Sequence, residues 1–208
     1  MTASHIRGIA AASLAVALAC GATAAAAQGH SHSHGAPAAA TGGRWTQADA
    51  HFMSSMIGHH GQAIEMARLA PTHGASAAVQ RLAARIVNAQ QDEIAAMQLW
   101  LRDRGQPVPE PGAAHHGHGG QQGALMAGML TPEQMKQLDE ARGPEFDRLF
   151  LTYMIQHHQG AITMVKELLA SPGAGQDDDV FRFVADVNVD QATEIDRMRS
   201  MLATLPKQ

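Results

Sequence analysis

A five-residue block, Met-Ile-x-His-His, occurs twice in this chain, at 56–60 and at 154–158. Each copy is continued by Ala-Ile-x-Met, at 63–66 and 161–164. Thioether sulfur and imidazole nitrogen, without thiolates or a dense set of carboxylates, suit copper, and Cu(I) in particular, better than Mg²⁺ or Ca²⁺. Silver(I) is also soft and fits the same donors. The predicted metal ligands of the two blocks are Met56, His59, His60, Met66, Met154, His157, His158 and Met164.

Helical spacing turns these side chains toward one side of a helix. Met56 and Ala63 lie near the middle of the apolar arc of the first predicted helix, and His59 and His60 lie on its two shoulders. Met56 and His60 are one turn apart, roughly 6 Å along the axis, so a side chain from each could reach one ion. The same relation holds in the second copy. The spacing therefore predicts metal sites in the interior of a helical protein.

A second repeat lies downstream of each block. Glu93-Ile94-x-x-Met97 matches Glu194-Ile195-x-x-Met198 at an offset of 194 − 93 = 101, close to the 154 − 56 = 98 of the first repeat. Glu93 and Glu194 are candidate metal ligands, or acceptors that fix a histidine tautomer. They could equally be surface charges or partners for an arginine. The two repeats together predict two copies of one helix-pair unit.

Two other interpretations of the histidines stay open. In one, they serve packing or a partner interface and bind no metal. In the other, the chain is a ferritin-like di-metal oxidoreductase, which needs a Glu-x-x-His motif on two helices. The sequence contains no Glu-x-x-His, and it has no phosphate loop or nucleotide fingerprint. We therefore expect a binding protein and not an enzyme.

The first 27 residues resemble a cleaved secretory signal. Arg7 precedes an Ala/Leu/Val-rich stretch that ends at Ala25-Ala26-Ala27. A periplasmic or secreted location follows. Cys20, the single cysteine, lies in Leu-Ala-Cys-Gly, and a lipid anchor at this residue is the minor alternative. Cleavage after Ala27 leaves a mature chain without cysteine, so thiolate sites and disulfides are excluded.

The composition of residues 28–45 predicts a disordered tail that contains histidines. His30 becomes the third residue of the mature chain, where its imidazole, the amine and two backbone amides could wrap Cu(II) in a square plane. His32, His34 and a cluster at 115–118 are consistent with looser capture of divalent metal. A solvating, low-complexity role for these histidines is the alternative.

Capping residues and prolines predict the elements that position the two blocks. Thr46 can start a helix that runs to about Ala70, and Ser76 can start a second that runs to about Arg104. A short helix begins at 131–133, a third long helix follows Gly143 and runs to 170, and acidic residues at 177–179 suit the start of the fourth. No segment shows convincing strand alternation.

These elements predict an all-α fold, a ferritin-like four-helix bundle built from two duplicated hairpins with a long crossover. The first hairpin covers 46–104, a linker with the short helix covers 105–143, and the second hairpin covers 144–205. The net charge of −4 comes without a cluster of Lys or Arg, so nucleic acid is not an expected partner. The expected partners are metal ions and a periplasmic copper-handling protein, with no membrane span after signal cleavage.

The repeated motifs, together with Asp49 and Phe52, resemble the bacterial family named domain of unknown function 305 over residues 46–203. The resemblance implies a ferritin-like four-helix bundle. Similarity to exported members of the CopM kind implies binding of copper or silver in the periplasm, through the same eight Met and His residues. Gly58 and Gly61 stand where the second copy has Gln156 and Gln159. Their low helix propensity weakens the expectation of two equal sites.

Overall fold

Five α-helices make up the part of the chain that the structure, a computed structural model, describes: residues 44–112 and 125–206. Neither range contains a strand, and the predicted all-α class is confirmed. None of the helices in these ranges is long and apolar enough to cross a membrane. The helices are α1 (Gln47–Leu69), α2 (Ala77–Asp103), α3 (Pro132–Glu140), α4 (Gly143–Ala170) and α5 (Asp178–Thr204).

Several predictions fall on residues outside the described ranges. These are the signal at 1–27, the tail histidines His30, His32 and His34, and the histidine cluster at 115–118. They stay predictions.

Four of the five helices in the described ranges begin at a residue whose side chain caps them, whereas α4 has no side-chain cap. Thr46 accepts a hydrogen bond from the backbone N–H of Asp49 over 3.2 Å, and Asp49 accepts one from the backbone N–H of Thr46 over 2.7 Å. This reciprocal pair satisfies two donors that the first turn of a helix leaves free. Asp177 caps α5 in a similar way, because its side chain accepts from the N–H groups of Asp179 and Val180.

Two buried aspartates each accept a hydrogen bond from the opposite hairpin. Asp49 of α1 accepts from the N–H of Gly175, in the loop between α4 and α5, over 2.7 Å. Asp147 of α4 accepts from the N–H of Ser76, in the loop between α1 and α2, over 3.1 Å. The two aspartates are equivalent in the 98-residue repeat, 147 − 49 = 98. The same contact is thus made in both halves of the chain.

The helices pack as two hairpins that meet through α1 and α4. α1 contacts α2, α4 contacts α5, and α1 contacts α4. More than half of the residues of α1 are buried, whereas α5 buries a single stripe. The blocks with the paired histidines therefore lie on the two inner helices. Each buried methionine or phenylalanine of this core contributes roughly 1.5–3 kcal/mol relative to an exposed one.

Glycines on α1 and α4 give room for crossing segments and do not interrupt the helices. A Cβ at Gly61 would lie 1.9 Å from the carbonyl oxygen of Pro111, and one at Gly160 would lie 1.9 Å from that of Ala127. α1 runs unbroken through Gly58 and Gly61. The weak helix propensity that the sequence suggested at these glycines is thus overridden by packing.

The segment 125–130 is fixed on α1 by a buried side chain. Gln62 donates to the carbonyl oxygen of Leu130 over 3.1 Å and accepts from the N–H of Leu130 over 2.7 Å. This pair satisfies both backbone groups of a buried residue that has no helical partner. It holds the end of the linker beside the histidines of α1.

Candidate metal centre

The four histidines of the repeated blocks lie together where α1 meets α4. His59, His60, His157 and His158 are all fully buried. The rings of His59 and His157 face each other, with centroids 3.8 Å apart and planes inclined by 36°. Neighbouring rings on one helix are 6.4 Å apart in α1 and 6.3 Å apart in α4. Side chains that are 98 residues apart in the chain thus form one cluster.

Glutamates of α2 and α5 each accept a hydrogen bond from one of these histidines. Nε2 of His60 donates to Oε2 of Glu93 over 2.6 Å, and Nε2 of His158 donates to Oε2 of Glu194 over 2.7 Å. A carboxylate only accepts, so the proton of each neutral ring is on Nε2. Of the roles predicted for Glu93 and Glu194, the structure has the acceptor that orients a ring and fixes its tautomer.

Backbone carbonyls orient the other two rings. Nε2 of His59 donates to the carbonyl oxygen of Ala127 over 3.0 Å, and Nε2 of His157 donates to the carbonyl oxygen of His59 over 3.0 Å. A carbonyl oxygen also only accepts, so both rings carry their proton on Nε2. Sequence reasoning missed Ala127, because a backbone acceptor leaves no residue-type signature.

The second ring nitrogen, Nδ1, is buried without a hydrogen-bond partner in all four histidines, as far as the described residues extend. With the proton on Nε2, each Nδ1 has a free lone pair. A buried polar atom without a partner costs about 1–3 kcal/mol. Four such atoms at repeated positions fit a ligand that accepts lone pairs, and a metal ion is such a ligand.

Burial keeps two of these rings neutral. Removal from water, with a smaller contribution from neighbouring His60, lowers the pKa of His59 to about 3. Removal from water, followed by the charge of His59, lowers the pKa of His157 well below its usual value. Neutral imidazole is the form that binds metal, since protonation consumes a lone pair. His59 and His157 thus have their lone pairs available throughout the physiological pH range.

Six buried methionines at repeated positions divide between the two hydrophobic clusters of the core. One hydrophobic cluster contains Met56, Met97 and Met164, hereafter the first methionine set. The other contains Met66, Met154 and Met198, hereafter the second methionine set. The members are equivalent under the two repeats, with Met56 matching Met154, Met97 matching Met198 and Met164 matching Met66. Each set takes one methionine from α1, one from α4 and one from a flanking helix.

The structure separates Met56 from Met66, which the sequence grouped with the same pair of histidines. The two residues are ten positions apart on α1, about 15 Å along the axis at 1.5 Å per residue. They belong to different clusters. Met164 of the opposite helix, and not Met66, shares a cluster with Met56. Antiparallel packing of α1 on α4 thus exchanges the last methionine of each block between the two halves.

Met97 and Met198, which are not among the metal ligands predicted from the sequence, belong to these sets. Both are fully buried. Their signal in the sequence is recurrence at the 101-residue offset. Met53 is also buried, but the residue 98 positions later is Leu151. A methionine is therefore not repeated at that position, and Met53 is not counted in the first methionine set.

Nitrogen and oxygen donors do not assemble a site without the methionines. The described ranges contain no group of three or more His, Cys, Asp or Glu residues that could hold a metal ion. The other buried side chains of this core with soft-metal donor atoms are the methionines, and imidazole nitrogen with thioether sulfur is the donor pair that favours soft ions.

The sequence profile of the family described as Domain of unknown function (DUF305) matches residues 49–202. The chain belongs to the DUF305 family. The predicted family resemblance is thereby confirmed. Among curated proteins, no sequence matches the chain.

Two solved DUF305 structures resemble this DUF305 chain over most of their length. A DUF305 fragment from Deinococcus radiodurans is 29% identical, with a TM-score of 0.65, and the match covers 77% of this chain and 99% of the fragment. A DUF305 protein from Streptomyces coelicolor that is predicted to be secreted is 30% identical, with a TM-score of 0.62, and the match covers 75% of this chain and 91% of that one.

CopM is a third similar protein, and its structures contain metal. The Cu(II)-bound form is 28% identical to this chain, with a TM-score of 0.58, and the match covers 74% of this chain and 95% of CopM. A Cu(I)-bound form and a silver-bound form are each 26% identical, with a TM-score of 0.56. The helical fold of this DUF305 chain is therefore similar to one that is known with copper and silver bound.

A cleft between α2 and α5 lies behind the two glutamates of this DUF305 chain. The cleft has a volume of about 250 Å³, and its lining includes Gln90, Gln191, Glu93 and Glu194. Both Gln90 and Gln191 are buried. Burial, followed by the charges of Glu93, Asp186 and Glu194, raises the pKa of Asp190 in this cleft. The lining also contains Arg85 and Arg197, so the carboxylates that orient His60 and His158 share this cleft with basic side chains.

Proposed function

We propose that this DUF305 chain is a non-enzymatic protein that binds Cu(I), and Ag(I) at the same sites, outside the cytoplasm. It sequesters the ion for resistance or hands it to a partner. One observation carries the proposal: in four buried histidines at repeated positions, Nε2 donates to an acceptor and Nδ1 has no partner among residues 44–112 and 125–206. Hydrogen-bonded second nitrogens are typical of metal-ligating histidines.

The proposal includes two centres in a duplicated four-helix bundle. Met56 lies one turn before His60 on α1, and Met97 lies one turn after Glu93 on α2. Because His60 contacts Glu93 and the two helices are joined by a short loop, Met56 and Met97 lie at one level. The first centre thus combines the first methionine set with His60, and the second combines the second set with His158. His59 and His157 lie between the two centres.

The comparisons support this assignment of the ion. CopM has structures with Cu(II), Cu(I) and silver bound, and it is 26–28% identical to this chain. The donor set here, thioether plus neutral imidazole, suits monovalent soft ions. A periplasmic location is part of the proposal, in agreement with the predicted signal and with the S. coelicolor relative that is predicted to be secreted.

A competitive titration tests the proposal. The mature chain without residues 28–43 is titrated with Cu(I), and in parallel with Ag(I), against a chelator of known affinity. We expect two ions per chain with sub-nanomolar affinity. Replacing His59, His60, His157 and His158 by Ala is expected to weaken binding at least a thousandfold, since each replacement removes one lone pair. His51→Ala, at an exposed position of α1, is the control for this titration. It is expected to bind the same number of ions per chain as the wild type.

Two outcomes would contradict the proposal. Failure of the wild-type core to compete for either ion would leave the histidines to packing. Tight binding of iron or manganese, with oxygen consumption, would favour the di-metal oxidoreductase. The tail forms a separate part of the proposal, in which His30, His32 and His34 bind Cu(II). It predicts that removal of residues 28–43 abolishes the tightest Cu(II) binding, leaves only the looser capture by the cluster at 115–118, and leaves Cu(I) binding intact.

A further inference from the structure

A surface cavity leads to the first methionine set, whereas all three methionines of the second set are fully buried. The cavity has a volume of about 220 Å³ and lies between α1, α4 and the segment at 126–127. Its lining includes His51, Ser55, Met126 and Met164. His51 is exposed and Met126 is half-buried, so the cavity runs from solvent toward a buried methionine.

The lining of this cavity presents soft-metal donors in a graded order of burial. The imidazole of His51 is exposed, the thioether of Met126 is half-buried, and Met164 retains 8% exposure. Met164 is also a member of the first methionine set. Imidazole and thioether bind soft monovalent ions such as Cu(I) and Ag(I). An ion that reaches Met164 from solvent therefore passes donors of the kind that hold it in the core.

The second half of the chain fills the equivalent space with large side chains. Met66, the counterpart of Met164, has no exposure. Tyr153 donates a hydrogen bond to Gln137 of α3, and α3 buries Leu138 in the same hydrophobic cluster as Met66. At the 98-residue offset, the replacements that close the space are Ala48 by Phe146, His51 by Leu149 and Ser55 by Tyr153.

We propose that His51, Met126 and Met164 form a transfer site, through which a soft monovalent ion enters and leaves the first centre, while the second centre exchanges slowly. This inference rests on the proposed function. The ion keeps its oxidation state throughout, because each step only replaces one donor atom by another. The two centres of the chain thus have similar donors and different access to solvent.

Release kinetics test the transfer site. The mature chain without residues 28–43 is loaded with Cu(I) and mixed with excess bathocuproine disulfonate in a stopped-flow instrument. The wild type is expected to release its copper in two phases of similar amplitude, a fast one from the first centre and a slow one from the second. The variant His51→Leu/Ser55→Tyr copies the closed half of the chain. It is expected to slow the fast phase at least tenfold, with equilibrium affinity and stoichiometry unchanged.

Thr152→Tyr is the matched control, because it places a tyrosine at an exposed helical position of α4 that lies outside the cavity. It is expected to leave both phases unchanged. Should the double variant fail to fold, His51→Ala alone is expected to slow the fast phase at least threefold, since it removes only an exposed donor.

The outcomes separate the inference from the function on which it rests. Two results would overturn the transfer site and keep the copper-binding function, provided that equilibrium binding is normal. One is a single release phase in the wild type. The other is a fast phase that stays unaltered in both the double variant and His51→Ala. Absence of Cu(I) binding in the preceding equilibrium titration would overturn both.

Discussion

At the scale of single residues, hydrogen bonds determine which nitrogen of each buried histidine carries the proton. Each Nε2 donates to an oxygen, from Glu93, Glu194, Ala127 or the backbone of His59. The four Nδ1 atoms are buried without a hydrogen-bond partner among the described residues, and the same core buries six methionines at repeated positions. The free atom of each ring is thus determined by what its other nitrogen contacts.

Acid should destabilise the metal-free chain through His59 and His157. Burial lowers the pKa of both in the folded state, whereas in the unfolded chain the value is about 6.5. The unfolded state therefore binds more protons, and stability that is fully present above about pH 6.5 is lost as the pH falls, for His59 down to about 3. The slope is up to about 1.4 kcal/mol per pH unit for each histidine.

Urea unfolding between pH 7 and pH 4.5 measures this effect. His157→Leu is expected to reduce the change in the free energy of unfolding per pH unit by the contribution of one histidine. His51→Leu, at an exposed position, is the control and is expected to leave this slope unchanged. An equal slope in His157→Leu and the wild type would show that this ring is not a buried neutral histidine.

Much of the site could be predicted from the sequence at this scale, because repeated residue types mark donors directly. The paired histidines and their glutamates were identifiable for that reason. The grouping of the methionines was not, since helical periodicity places Met56 and Met66 on similar sides of α1 and says nothing of the partner helix. Antiparallel packing against α4 decides which of them meets Met164.

At the scale of the elements, α1 and α4 carry the four buried histidines, and other segments of the chain cross these two helices closely. Helix starts and stops were predictable from local chemistry: Thr46 and Ser76 cap α1 and α2 through side-chain hydrogen bonds. The crossing of the segment 125–130 over α4 was not predictable, because a close approach of two backbones depends on contacts distant in sequence. Its trace in the sequence is Gly160, a residue that helix propensity alone disfavours.

Gly160→Ala should therefore destabilise the chain, although Gly→Ala inside a helix normally stabilises by about 0.5–1 kcal/mol. The added Cβ would lie 1.9 Å from the carbonyl oxygen of Ala127 and 2.6 Å from Cα of Gly128, so the crossing segment must move. We expect a loss of about 2–4 kcal/mol in the free energy of unfolding, measured in urea. Gln159→Ala, at the exposed neighbouring position, is the control. A more stable Gly160→Ala variant would disprove the close approach.

At the scale of the whole molecule, two similar halves place equivalent donors around one interior and then differ at the surface. Asp49 and Asp147 make equivalent contacts across the hairpins, and so do Glu93 and Glu194 with the histidines. The halves differ where α3 covers the second methionine set and a cavity leads to the first. Repetition thus accounts for the donors, and the linker accounts for unequal access.

The measurement that tests the central claim most directly is a crystal structure of the Ag(I)-loaded core, with silver located by anomalous diffraction. We predict silver between α1 and α4, bonded to Nδ1 of the buried histidines and to thioethers of both methionine sets, with the Nε2 contacts to Glu93 and Glu194 retained. Silver bound only at exposed histidines, with Nδ1 of all four buried rings uncoordinated, would contradict the account.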